Sequence, residues 1–185
     1  MIEIRRETCQ LKISLQDVKP SIWRRFLVSS TMPLSKLNEV IQQVMGWANC
    51  HLHDFDVDGK RYGVPDPEFG IDDDLLDETG FLTYDLLKQE GDSLLYSYDY
   101  GDGWQHNLQL EKVLPYDPDQ QLPYCTAGSR GCPPEDVGGV WGYETFLEAY
   151  KDKKHPRHEE MTEWAGDYFH PESFDPDEVN EILHS

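Results

Sequence analysis

Cysteine is scarce in this chain. Four residues in 185, Cys9, Cys50, Cys125 and Cys132, fall far short of the density of a secreted disulfide scaffold. The expected compartment is therefore a reducing one, the cytoplasm. Long apolar runs are missing as well: no stretch approaches the roughly 20 apolar residues of a membrane span. The opening MIEIRRETCQLKISLQ carries charges where a signal peptide needs an unbroken apolar segment, so no contact with a membrane is expected. Nor is there a G-x-S-x-G elbow or a phosphate-cradling glycine loop, which removes the commonest signatures of nucleophilic and nucleotide-binding enzymes.

Basic residues are also in short supply. Sixteen Lys and Arg stand against 36 Asp and Glu, a net charge of −20. The imbalance is uneven: residues 1–61 hold nine basic and seven acidic side chains, residues 62–185 seven and 29. Such a field repels a nucleic-acid backbone. Nucleic-acid binding would have to be confined to the first third, through Arg5, Arg6, Lys19, Arg24 and Arg25. The competing reading is that these residues neutralise the acidic remainder or face solvent, and no helix with a basic face suited to a DNA groove is evident.

What is present, 38% hydrophobic and 12% aromatic residues, is enough to bury one sizeable core. One domain over 1–185 is expected, strand-rich over about 8–115 and helical over about 133–185. QLKISL alternates with Leu11, Ile13 and Leu15 on one face, and IWRRFLVSS reads as a second strand. PLSKLNEVIQQVMGW spaces Leu34, Leu37, Ile41 and Val44 as a helix, with Pro33 at its start and Gly46 at its stop. HLHDFDVDGKRYG predicts a hairpin on an Asp58-Gly59 turn, which sets Asp56 opposite Arg61 and Phe55 opposite Tyr62. VPDPEFGIDDDLLDETGF reads as a long surface loop, TYDLLKQEG as a short helical turn, and SLLYSYDYGDGWQHNLQLEKVL as another strand pair. YDPDQQLPYCTAGSRGCPPEDVGG is irregular. Helices follow: Tyr143, Phe146, Leu147 and Tyr150 share one side, Met161, Trp164 and Ala165 point inward in the next, and Asp175 caps the last before Pro176. The class is α+β: a mixed or antiparallel sheet with β-hairpins and one main N-terminal helix, then C-terminal helices. Strand-strand-helix-strand-strand is also the opening order of a β-grasp.

The stretch SYDYGDGWQHNLQLE looks catalytic as a string, with two aspartates and a histidine around glycines. Strand parity argues otherwise. Leu94, Tyr96, Tyr98 and Tyr100 share a face, as do Trp104, His106, Leu108 and Leu110. A three-residue loop, Gly101-Asp102-Gly103, pairs Tyr100 with Trp104 and unites both sets on one face. His106 then turns inward opposite Tyr98, away from Asp99, and Asp102 bonds its own turn. No catalytic residue is assigned.

Two chemistries stay open. His51 and His53, an H-x-H pair on one strand face, could hold a divalent metal with His106 as third ligand, leaving an open position to activate water. Otherwise each is a buried histidine bonded to backbone or to a tyrosine hydroxyl. Cys125 and Cys132 lie at C-x₆-C, outside the usual zinc spacing, and either pair or stay free in a structural loop.

The segments DVKPSIWRRFLV, LSKLNEVIQQVMGW, HLHDFDVDGKRYG, YDYGDGWQHNLQLEKVLP, CTAGSRGCPPEDVGG, GYETFLEAY and HPRHEEMTEWAG, in that order, resemble the plasmid pRiA4b ORF-3-like family. The resemblance covers roughly residues 8–180. It implies an α+β fold and an association with plasmids and mobile elements, with a resolvase-like label in some members, but no activity and no catalytic set. Relatives often carry a third cysteine in the CPPED-x-GG segment where this chain has Val137, which argues against a shared cysteine metal site. The expected function is a non-catalytic cytoplasmic interaction or ligand-binding module with no assigned cofactor. Tyr98, Trp104, Asp102 and Trp141, with Tyr96 and Tyr143 nearby, are the candidate contacts for a protein partner or small molecule. The alternative is a metal-dependent enzyme at His51, His53 and His106.

Overall fold

Alternation in the central strand segments decides the architecture, because each of them contributes one apolar row to the same side of a single sheet. In the computed structural model, which describes residues 6–65, 74–167 and 169–185, that sheet has eight strands. They are β1 (Glu7–Leu15), β2 (Trp23–Ser29), β3 (His53–Val57), β4 (Lys60–Gly63), β5 (Leu75–Asp77), β6 (Ser93–Tyr98), β7 (Trp104–Pro115) and β8 (Tyr124–Ser129). Their spatial order is β5-β4-β3-β6-β7-β1-β2-β8, antiparallel except for β4–β5 at one edge. The helices are α1 (Leu34–Met45), α2 (Thr83–Leu86), α3 (Gly139–Lys151), α4 (His158–Ala165) and α5 (Pro176–Leu183). The fold is α+β with a mostly antiparallel sheet.

Apolar rows run straight across the strands. Leu11 lies opposite Phe26 and Leu110, Leu108 opposite Ile13 and Leu94, and Tyr96 opposite Phe55 and His106. All are buried, and α1 adds Leu34, Leu37, Ile41 and Val44 to the same core. Two polar side chains of α1 are buried with them, and both meet Tyr96: Gln42 donates to its hydroxyl at 2.8 Å, and that hydroxyl donates to Asn38 at 2.5 Å. Gly46, in the left-handed region at φ 106°, ends the helix as expected. The opposite sheet face is polar; on it Arg25 holds Glu111 bidentately at 2.6 and 2.9 Å.

Arg24 lies on the core row, 1% exposed. It donates to the carbonyls of Val44 (2.7 Å) and Met45 (3.2 Å) at the C-terminal end of α1, where a cation meets the negative end of the helix dipole. It also donates to Trp23 and Ser129 and covers the Phe174 ring. Burial pulls its pKa down to about 10, so it stays charged at neutral pH.

The Asp58-Gly59 turn forms with both residues at positive φ, 52° and 82°, and Asp56 pairs with Arg61 and Phe55 with Tyr62 as predicted. Other expectations change. The β6–β7 hairpin inserts between β1–β2 and β3–β4, and β1 meets its inner neighbour β7 antiparallel, whereas the first strand of a β-grasp has a parallel partner at the sheet centre. Within the expected long loop, residues 66–73 lie outside the described residues, while β5 and a 3₁₀ turn at Glu78–Gly80 close its end. Part of the region read as irregular is β8, an edge strand on β2. The last helix docks there through a polar side chain: Asn180 accepts from the Cys125 N–H and donates to its carbonyl at 2.7 and 2.9 Å, while Ile182 is 51% exposed.

Candidate functional site

The three histidines do not converge. His106 is fully buried on β7: its Nδ1–H donates to the Tyr96 carbonyl at 3.1 Å, and its Nε2 accepts from the Trp47 indole at 3.3 Å. With both nitrogens occupied it has none to offer a metal, and burial lowers its pKa to about 4, so the ring is neutral. His53, also buried, bonds the Glu78 carboxylate at 2.8 Å. The Tyr96 ring packs against both, at 5.9 Å from His53 and 5.4 Å from His106. His51 precedes the first residue of β3, so strand alternation does not bind it. Among the described residues, the clusters able to hold an ion include His51 but neither of the others. His51, His53 and His106 therefore do not form the three-histidine metal site their spacing suggested.

The β6–β7 turn is longer than parity alone required. Tyr98 pairs with Trp104 and Tyr96 with His106, which leaves a five-residue loop, Asp99–Gly103, in place of three. A shift of two residues preserves the faces, so the inward set survives while Tyr100 leaves it: half exposed, it donates to Asp54 at 2.7 Å. The turn's side-chain acceptor is Asp99, not Asp102. Asp99 sits at φ 55°, and its Oδ1 accepts from the N–H groups of Gly101 and Asp102 at 3.0 and 3.3 Å. Asp102 reaches outward instead, and its Oδ2 accepts from the Gly138 N–H at 3.0 Å just before α3. Gly139, at φ 68°, admits this approach: a Cβ there would lie 2.3 Å from the Asp102 carbonyl oxygen.

Of the four candidate contact residues, Tyr98 and Trp104 are core and fully buried. Asp102 anchors a helix, and only Trp141 is open, at 83% exposure. Trp164, expected to point inward, is 49% exposed and sets its edge on Phe146. A cleft of about 540 Å³ lies between α3 and α4, lined by Asp136, Trp141, Phe146, Arg157, Met161 and Trp164 among others. Arg157 is paired with Glu160 at 2.9 Å. Cys125 and Cys132 are unpaired, as are the other two cysteines.

A second feature adjoins this cleft. His51 Nε2 faces three carboxylates: Asp136 Oδ1 at 3.3 Å, Asp99 Oδ2 at 3.6 Å and Glu135 Oε2 at 3.8 Å. Glu135 is positioned by its other oxygen, which accepts from the Ala48 N–H at 2.7 Å and the Tyr98 hydroxyl at 3.0 Å. Tyr98 in turn accepts from the Cys50 N–H at 3.2 Å, and burial, then its contact with Cys50, raises its pKa, so it serves as a donor. The donors come from three segments, around residues 51, 99 and 135–136. No local spacing announces such a set, and Cys50, Asp99, Glu135 and Asp136 were not legible as its members.

The family model for plasmid pRiA4b ORF-3-like protein matches residues 7–178. The chain is 40% identical over 158 residues to an uncharacterized protein, y4hQ, of Sinorhizobium fredii, covering 85% of this chain and 80% of that one. The crystal structure of a protein of unknown function from Methanosarcina mazei Go1 superposes with a TM-score of 0.86 at 39% identity, over 95% of this chain and 98% of that one.

Proposed function

This chain belongs to the plasmid pRiA4b ORF-3-like family, and from that premise we propose that it is a non-catalytic interaction module which receives a basic segment of a partner protein between α3 and α4. One observation carries the reading: Trp141, 83% exposed, stands beside the half-exposed Trp164 over an apolar floor of Phe146 and Met161, in a chain of net charge −20. Exposed indole faces attract Lys and Arg side chains, and an acidic surface draws a basic segment in from a distance. Arg157, already neutralised by Glu160, does not oppose it.

The nucleic-acid alternative has less support. Arg24 is buried under α1, Arg25 is held by Glu111, Arg6 lies over Tyr116, and Arg5 lies outside the described residues. The four free cysteines support a reducing compartment such as the cytoplasm. No helix among the described residues is long and apolar enough to cross a membrane. An association with plasmids or mobile elements rests on the family resemblance.

The test is a tryptophan-fluorescence titration with a synthetic peptide of alternating Lys/Arg and apolar residues, against a Glu-containing counterpart. The basic peptide is expected to bind and the acidic one not. Trp141→Ala, an exposed change that leaves the fold intact, should weaken binding at least about tenfold, the worth of a desolvated cation–π contact. Equal binding by Trp141→Ala and the parent protein, or none by the parent, would refute the reading.

A further inference from the structure

We propose that His51, Asp99 and Asp136 form a binding site for one divalent transition-metal ion of the zinc class, with Glu135 facing the same imidazole from beside it. This site is independent of the partner cleft, although Asp136 borders both.

The donor separations are the first argument. The three carboxylate oxygens stand 3.3, 3.6 and 3.8 Å from His51 Nε2, and none makes a hydrogen bond to it. Bonds of 2.0–2.2 Å at tetrahedral angles put two ligand atoms of one zinc ion about 3.4 Å apart. The gaps are long for hydrogen bonds and right for the edges of a coordination polyhedron. The ligand atoms of His51, Asp99 and Asp136 all lie within 4.8 Å of one another, whereas Glu135 groups with His51 and Cys50.

Unpartnered atoms are the second. His51 Nε2 and Glu135 Oε2 are both shielded from solvent with no hydrogen-bond partner. Groups of this kind are normally satisfied, and these two face one another across 3.8 Å, within reach of a shared ligand. Asp99, whose side chain is only 8% exposed, directs its free Oδ2 to the same point.

The supporting shell is the third. Asp99 Oδ1 is held by two backbone N–H groups of its own turn, and Glu135 Oε1 by the Ala48 N–H and the Tyr98 hydroxyl. In each case one oxygen is fixed and the other is left facing His51, the arrangement by which outer hydrogen bonds orient a metal's carboxylates. An ion would also relieve the mutual repulsion of three carboxylates gathered on one imidazole. Cys50 could join His51 and Glu135 in a different set, with its Sγ 3.7 Å from the Tyr98 hydroxyl. The ion belongs to the carboxylate set, with the thiol outside it.

The measurement is calorimetric titration of untagged, chelator-treated protein with zinc chloride, paired with thermal melts. One equivalent should bind and raise Tm. Asp136→Asn, an exposed change that leaves the apo melt unaltered, and His51→Gln should each weaken binding at least tenfold, while Cys50→Ser binds as the parent does. No stoichiometric uptake, or uptake unchanged in both Asp136→Asn and His51→Gln, overturns the site. Loss of binding in Cys50→Ser overturns this donor set in favour of a thiolate one. None of these outcomes depends on peptide binding, so a failed cleft and a failed metal site are told apart.

Discussion

Two buried residues show how a single side chain reports its surroundings. His106 is neutral when folded, with a pKa near 4 against an ordinary 6.5, because burial penalises the imidazolium more than its Tyr96 contact favours it. In that interval the unfolded chain takes up a proton that the folded one refuses, so stability falls as pH drops from about 6.5 towards 4. The full effect is about 3 kcal/mol. His106→Gln, which keeps an acceptor for Trp47, removes the linkage: urea midpoints measured from pH 7 to 4.5 should fall more steeply for the parent than for the variant. Parallel curves would mean that His106 is already charged in the fold. Arg24 is the reverse case, a buried cation satisfied entirely by carbonyls. Arg24→Leu leaves the end of α1 with unmet acceptors and should lower stability by about 2–3 kcal/mol, read from urea unfolding followed by helix circular dichroism.

At the scale of elements, the junction between the β6–β7 turn and α3 depends on one residue lacking a side chain. A Cβ on Gly139 would strike the backbone of Asp102, and its φ of 68° strains any L-residue, so Gly139→Ala should cost about 2 kcal/mol or more. Asp102→Asn keeps the acceptor for the Gly138 N–H and should cost less than 1 kcal/mol. Comparable losses in the two variants' thermal melts would mean that the hydrogen bond, not the close approach, secures α3. This junction also marks where sequence reading stopped. Periodicity and turn chemistry sufficed for α1, the β3–β4 hairpin and the inward face of β6–β7, since all three depend on residues within a few positions of each other. Gly138-Gly139 carried little signal because its reason is Asp102, some 36 residues upstream. The edge strand β8 was hidden for a related cause: TAGS has no apolar alternation and is extended because β2 offers it a partner. His51 escaped because it stands just before β3, where the period of two no longer applies.

Over the whole molecule, a net charge of −20 on 185 residues works against folding and in favour of a basic partner, and the two consequences respond to salt with opposite signs. Raising sodium chloride from 0.1 to 1 M shortens the Debye length from about 10 to about 3 Å. Repulsion among carboxylates spread over residues 62–185 is thereby screened, and local pairs such as Arg25–Glu111, partly buried and bidentate, lose much less. The protein should therefore melt higher in salt, by about 2–8 °C for a gain of 1–2 kcal/mol in a chain of this size. Across the same change the Lys/Arg peptide should bind roughly tenfold or more weakly, because long-range attraction is what salt removes. A Tm that falls with salt would show that attractive local pairs outweigh the net field. The acidic surface would then lose its part in drawing a basic segment to Trp141, leaving the indole face as the only attraction.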